Sequence, residues 1–225
     1  MKMLWILSGV LFLFLLVLSG CLIFNSPREG SYLYTEHGGH ASIALREIPI
    51  WVDGNFGEAD ILEIDRAVER WNYALNGYIV LRIVDYHFDM EVRKIQEQIR
   101  ENGWLFLKLD SRESYTPPVG SAGYYSIGFV ERVGGNHLYL IRDRLKNEEV
   151  FGVTLHEIGH LLGSGHVGDR LMSPHFSMAG NQCIDFLTLE AVSKAQGLPM
   201  NRLNYCYDAA IGDIKQMGED AEVSR

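Results

Sequence analysis

Cysteine is scarce in this chain, three in 225 residues, and no two stand in the short Cys-x-x-Cys spacing of a thiolate zinc site. Basic residues are the minority, 20 Lys and Arg against 29 Asp and Glu for a net charge of -9. That balance argues against nucleic acid, whose phosphates need a basic surface. The composition lacks the bias of a disordered chain, and neither internal repeats nor low-complexity tracts occur. The length suits one domain, or two small ones, with a substantial core. Charge is also missing locally: none falls from Met3 to Phe24, so the 47% of hydrophobic residues is unevenly spread.

That uncharged stretch reads as a targeting element. Lys2 supplies a positive start, Leu4 to Leu18 an apolar run, and Leu18-Ser19-Gly20-Cys21 small residues before a cysteine. The last four resemble the lipobox of bacterial lipoproteins, in which the cysteine is acylated and becomes the new N-terminus. On that resemblance residues 1–20 are a signal peptide and Cys21 is the lipidation site. The alternative is an uncleaved anchor over residues 3–24, since ~20 apolar residues suffice to span hydrocarbon. Both place the remainder outside the cytoplasm, at a membrane: a periplasmic or cell-surface protein.

Cys183 and Cys206 then form an even pair. In an oxidising compartment they are candidates for a disulfide; the alternative is two separate buried thiols. Residues 21–46 carry Pro27, Gly30, Gly38 and Gly39 without sustained periodicity and read as a tether. Its His37-Gly38-Gly39-His40 cluster reads as flexible and polar, because nothing rigid positions the two imidazoles. A folded domain is expected over 47–210 and a polar tail over 211–225.

Within that domain Ile48 to Val52 reads as a strand closed by Asp53-Gly54. Asp60, with Glu63 three residues on, reads as the cap of a helix whose stripe is Ile61, Ile64, Val68, Trp71 and Leu75, stopped at Asn76-Gly77. Tyr78 to Val84 is rich in β-branched residues and reads as a strand. A second helix is expected from Asp89 to Gly103 with Val92, Ile95 and Ile99 inward, then strands over Trp104–Leu109 and His137–Ile141. The alternation indicates an α/β layer on a mainly parallel sheet.

Asn147 opens a further helix that runs into His156-Glu157-Ile158-Gly159-His160. Residues four apart on a helix share a face, so both imidazoles reach one ion. Gly163 can take a positive φ and turn the chain sharply, which lets His166 return as a third ligand. Neutral imidazoles suit zinc, and three protein ligands leave a fourth position to water, the arrangement of a catalytic site. Glu157, beside the first histidine, is placed to accept a proton from that water. With 8 His and 23 Gly in 225 residues, a chance match to the whole pattern is on the order of 10⁻⁴.

His156-Glu157-x-x-His160-x-x-Gly163-x-x-His166 resembles the zinc signature of the metzincin metalloproteases. Met172, in Leu171-Met172-Ser173-Pro174, resembles the family's Met-turn, and the short spacing is most similar to the matrixin branch. The resemblance implies an α/β (α+β) zincin: a twisted mixed sheet with two long helices above the cleft, and a small irregular subdomain after Gly163. It further implies that Met172 packs beneath the ligands, that Ile184–Gln196 forms a last helix capped by Asp185 or Thr188, and that the segment from Gly120 to Tyr125 precedes or forms a strand edge that pairs with extended substrate. Phe176 stands near the place where astacin-type members have a ligating Tyr, and it cannot ligate. Val167 replaces a Ser common in matrixins, and latency by a propeptide cysteine is not expected. The reading is therefore a membrane-tethered zinc endopeptidase with one catalytic Zn²⁺ acting on extended protein or peptide. Two alternatives stay open, a non-catalytic zinc- or peptide-binding lipoprotein and a zinc peptidase of cell-wall peptides.

Overall fold

The computed structural model describes residues 32–37, 44–88, 103–110, 126–178 and 182–208. The signal or anchor segment with Cys21, His40, the expected helix over 89–103 apart from Gly103, the Gly120–Tyr125 segment and the polar tail lie outside these. Among the described residues no helix is long and apolar enough to cross a membrane.

Five strands form a mixed sheet in the order β3-β2-β4-β6-β5. They are β2 (Arg46–Asp53), β3 (Ile79–Phe88), β4 (Trp104–Leu109), β5 (Gly128–Val130) and β6 (His137–Ile141). β2 runs parallel to both β3 and β4, and β4 parallel to β6, while β5 alone is antiparallel and pairs with β6 at the edge. The mixed α/β architecture expected from the sequence is the one observed. β5 was not foreseen as a strand: three residues give too little alternation to be read.

Two helices, α1 (Glu58–Leu75) and α2 (Asn147–Leu161), pack on one face of the sheet. Ile64, Val68, Trp71 and Leu75 of α1 are buried against Leu155 and Ile158 of α2 in one core. Trp71 is fully buried, and its Nε1 donates to Leu155 O at 2.9 Å, satisfying the one polar atom such a ring carries inward. The start of α1 corrects the expected cap. Gly57 precedes the first turn, and its carbonyl accepts from the N–H of Asp60 and of Ile61, each at 3.0 Å. Asp60 sits inside that turn, where its carboxylate faces the helix N-terminus and takes the Arg142 Nε at 2.7 Å. Arg142 also donates to Leu145 O and Asn147 Oδ1, so one guanidinium ties the start of α1 to the start of α2. The stop at Asn76-Gly77 is as expected, with Asn76 at φ 47 and Gly77 at φ 82.

The assignment of residues 21–46 to a tether needs correction at one place. β1 (Tyr32–Tyr34) pairs antiparallel with β7 (Cys206–Asp208). Tyr34 is buried, meets Tyr73 edge-on at 5.5 Å, and accepts a hydrogen bond from Arg70 at its hydroxyl. The apolar share of this short segment is small, and only a partner more than 170 positions away makes it a strand. The Cys183–Cys206 disulfide lies beneath it, joining β7 to the start of α3 (Phe186–Gln196). α3 begins as expected, with Asp185 accepting from Thr188 N at 3.1 Å, and ends at Gly197 with φ 67.

The disulfide closes a loop of 23 residues, which stabilises by about 3 kcal/mol through the unfolded chain. Replacing both Cys183 and Cys206 with Ala should lower the urea unfolding free energy by about that amount. An unchanged unfolding free energy would show that the bridge adds nothing through the unfolded chain.

Candidate metal centre and active site

α2 carries His156, Glu157 and His160 on its last two turns and then stops abruptly. Gly163 takes φ +94, and a Cβ there would lie 2.7 Å from the Cβ of Ala195. Only glycine tolerates both conditions. Gln196 of α3 donates to Leu162 O at 2.8 Å and so satisfies a terminal carbonyl of α2. The turn brings His166 back over the helix. Ring centroids of His156, His160 and His166 stand 4.7, 5.6 and 4.8 Å apart, and one ring nitrogen from each lies within 4.8 Å of the others.

The two helical imidazoles are fixed from behind. His156 Nδ1 meets Leu171 O at 2.5 Å, and His160 Nδ1 meets Ser164 O at 2.7 Å. A carbonyl can only accept, so each Nδ1 holds the proton and each Nε2 presents a lone pair. Burial lowers the pKa of all three histidines, of His156 to about 4. They therefore stay neutral at physiological pH. Three neutral, convergent nitrogen donors, two of them on carbonyl-oriented rings, are a donor set that fits Zn²⁺.

Glu157 is 5% exposed, and burial pushes its carboxyl up to about 8. Its Oε2 is buried without a hydrogen-bond partner. Such an atom is costly to leave unmatched and marks a place for a ligand, water or cation. Gly128 of β5 passes directly over it. A Cβ on Gly128 would stand 2.6 Å from Val153 Cγ1 and 3.1 Å from Glu157 Oε1. The edge strand thus approaches the carboxylate as closely as it does only because residue 128 has no side chain.

Met172 is fully buried, with its sulfur against Gly159, the residue before His160. Its carbonyl accepts the Val167 N–H at 3.0 Å, which holds the segment that bears His166. Phe176, Pro174 and Ser173 line the opposite wall of a cleft of about 460 Å³ whose near wall is β5. The structure therefore brings His156, Glu157, His160, His166 and Met172 together, while Cys183 and Cys206 lie elsewhere. Gly128, Arg132 and Val153 also line the cleft and were missed from sequence. Their part in it depends on β5 crossing α2, and no local spacing signals that.

No family model matches the chain, and no curated protein matches it. Among solved structures, archaemetzincin from Methanopyrus kandleri is similar at 16% identity and a TM-score of 0.44, covering 71% of this chain and 99% of that one. Metalloproteinase-II from Bacteroides fragilis is similar at 21% identity and a TM-score of 0.37, covering 76% of this chain and 57% of that one. Neither likeness is close enough to carry an activity over; the chemistry rests on the three imidazoles and the carboxylate.

Two outcomes are expected. An alanine Cβ at position 159 would meet Met172 Sδ at 2.6 Å, so Gly159→Ala should cost ~1–3 kcal/mol of stability and weaken zinc binding in competition with a chromophoric chelator. Unchanged values in both would mean that Met172 does not support the site. In metal-free protein the Glu157 carboxyl binds a proton below about 8 when folded and below 4.5 when unfolded, whereas folding lowers the three histidines from 6.5, so they bind protons first in the unfolded chain as pH falls toward 6.5. The Glu157 carboxyl should therefore add ~1–2 kcal/mol of stability as pH falls from 8 to 6.5, against an opposing loss from the histidines. The parent-minus-Glu157→Gln difference in urea titrations should grow by ~1–2 kcal/mol over this range, and a difference that does not change with pH would show that Glu157 takes up no proton on folding.

Proposed function

We propose that this chain is a zinc-dependent endopeptidase, tethered outside the cytoplasm by its N-terminal segment. The observation that carries the peptidase reading is the buried, unpartnered Oε2 of Glu157 beside three convergent neutral imidazoles. A fourth ligand would need no such free carboxylate, and a purely structural zinc site would fill its coordination with protein groups. His156, His160 and His166 are the proposed holders of the ion, and Met172 their support.

A zinc ion bound there supplies Lewis acidity, polarising a carbonyl and lowering the pKa of water. Glu157 Oε2 accepts a proton as the water oxygen bonds to the peptide carbonyl carbon, and returns it to the amine nitrogen as the C–N bond breaks. Burial raises the carboxyl pKa, which suits the second transfer, while a divalent cation nearby favours the ionised form the first one needs. Gly128 and its neighbours in β5 present a strand edge beside this atom with which no described strand pairs, and on it an extended peptide can form backbone hydrogen bonds without regard to its side chains. Val153 and Phe176 give this cleft an apolar part to its lining.

Membrane tethering rests on the uncharged run from Met3 to Phe24 and on Cys21 after Leu18-Ser19-Gly20. Lipid at Cys21 is the form proposed.

In a soluble form lacking residues 1–24, Glu157→Gln should keep one zinc per chain while cutting kcat on unfolded protein by about 10²–10⁴-fold. Chelation should abolish the parent activity, and zinc should restore it. Equal cleavage by parent and variant would refute the proton-transfer role. Zinc binding without any cleavage of protein or cell-wall peptide would leave a binding protein.

A further inference from the structure

The cleft is bounded by few charged groups, and they are placed unevenly. Glu157 is at its centre, and Arg132 is the one basic side chain, apart from the three imidazoles, that the described cleft wall contains. This stands against a chain with a net charge of -9. Arg132 leaves β5 two residues after its last paired position, Val130, so it sits at the opposite end of the strand edge from Gly128 and Glu157.

Its backbone is anchored to the metal centre. Gly134, at φ +71, donates its N–H to His160 O at 2.8 Å, and Gly135 N donates to Arg132 O at 2.9 Å. A Cβ on Gly135 would stand 2.8 Å from Arg132 O and 3.1 Å from Arg132 Cγ, so the turn is closed tightly around this residue. The turn thus keeps the Arg132 backbone at a fixed place relative to the second imidazole, and the residue is exposed at the cleft wall. Among the described residues no carboxylate pairs with it. Its neighbour Glu131 is turned to the outer face of the sheet, where it accepts from Tyr139 OH at 3.0 Å and lies 3.6 Å from His137 Nδ1.

We propose that Arg132 is a specificity-determining residue that selects substrates with an Asp or Glu side chain near, but not at, the cleaved bond. The inference deepens the peptidase reading and depends on it. A peptide laid along β5 advances ~3.3 Å per residue, so a carboxylate within about four residues of the scissile bond meets the guanidinium. All such positions lie on the side of the bond that runs past Arg132. The guanidinium fork accepts a carboxylate through two N–H donors, and as a partly solvated pair it discriminates by about three- to ten-fold. The discrimination should shrink as salt is added.

The test is cleavage-site profiling of the zinc-loaded soluble protein on a denatured proteome, followed by kcat/KM on matched peptides with Asp, Asn or Lys at the selected position. Acidic residues should be enriched on one side only, and the Asp-to-Lys ratio should be about three- to ten-fold in the parent. Arg132→Lys should keep the sign of that ratio and Arg132→Glu should invert it. Ratios of matched peptides cancel any general loss of activity or folding in a variant. Cleavage that depends on Glu157 and zinc but shows no acidic enrichment, or a ratio that Arg132→Glu leaves unchanged, overturns the assignment and spares the peptidase reading. Absence of any Glu157-dependent cleavage overturns both.

Discussion

The site depends on the dipeptide Leu171-Met172. Leu171 O accepts a hydrogen bond from His156 Nδ1–H, and Met172 O accepts one from the Val167 N–H next to His166. The Met172 sulfur meanwhile rests on the bare Cα of Gly159, between the two helical histidines. One buried turn therefore sets the tautomer of one imidazole, the position of another and the height of the helix that bears two of them. Each of these is a short-range constraint, so a shift of the turn would be felt at all three rings.

The sheet and α1 serve that arrangement from the other side. Trp71 fills the space behind Gly159, with its ring carbon 3.4 Å from where a Cβ would be, and its indole N–H takes Leu155 O. α2 is thus held between Trp71 and Met172. The Arg142 guanidinium joins the beginnings of both long helices through Asp60, Leu145 and Asn147. Burial then acts on the chemistry: it keeps the His156 imidazole neutral and raises the Glu157 carboxyl, two shifts with the same physical origin and opposite sign.

Much of the site was readable along the chain because its residues fall within one helix and one turn. His156, Glu157 and His160 are fixed by helical spacing, Gly163 by its need for a positive φ, and His166 and Met172 by distance from that turn. The parallel strands and α1 were readable for a similar reason, since β-branched runs and a clear apolar stripe are local. What escaped depends on distant partners. Asp60 looks like a cap until Arg142, far along the chain, claims its carboxylate. Tyr32–Tyr34 looks like linker until Cys206–Asp208 pairs with it. Gly128 carries no chemistry of its own, and its meaning lies in the Glu157 carboxylate beneath it.

The central claim is an open three-histidine zinc centre with a free carboxylate beside it. Anomalous diffraction at the zinc edge, on crystals of the zinc-loaded protein, tests it most directly. One full-occupancy ion is expected at ~2.0–2.1 Å from a ring nitrogen of each of His156, His160 and His166, with Glu157 outside bonding distance and no fourth protein ligand. An ion ligated by Glu157 or by any fourth side chain, or no ion at these histidines, would contradict it.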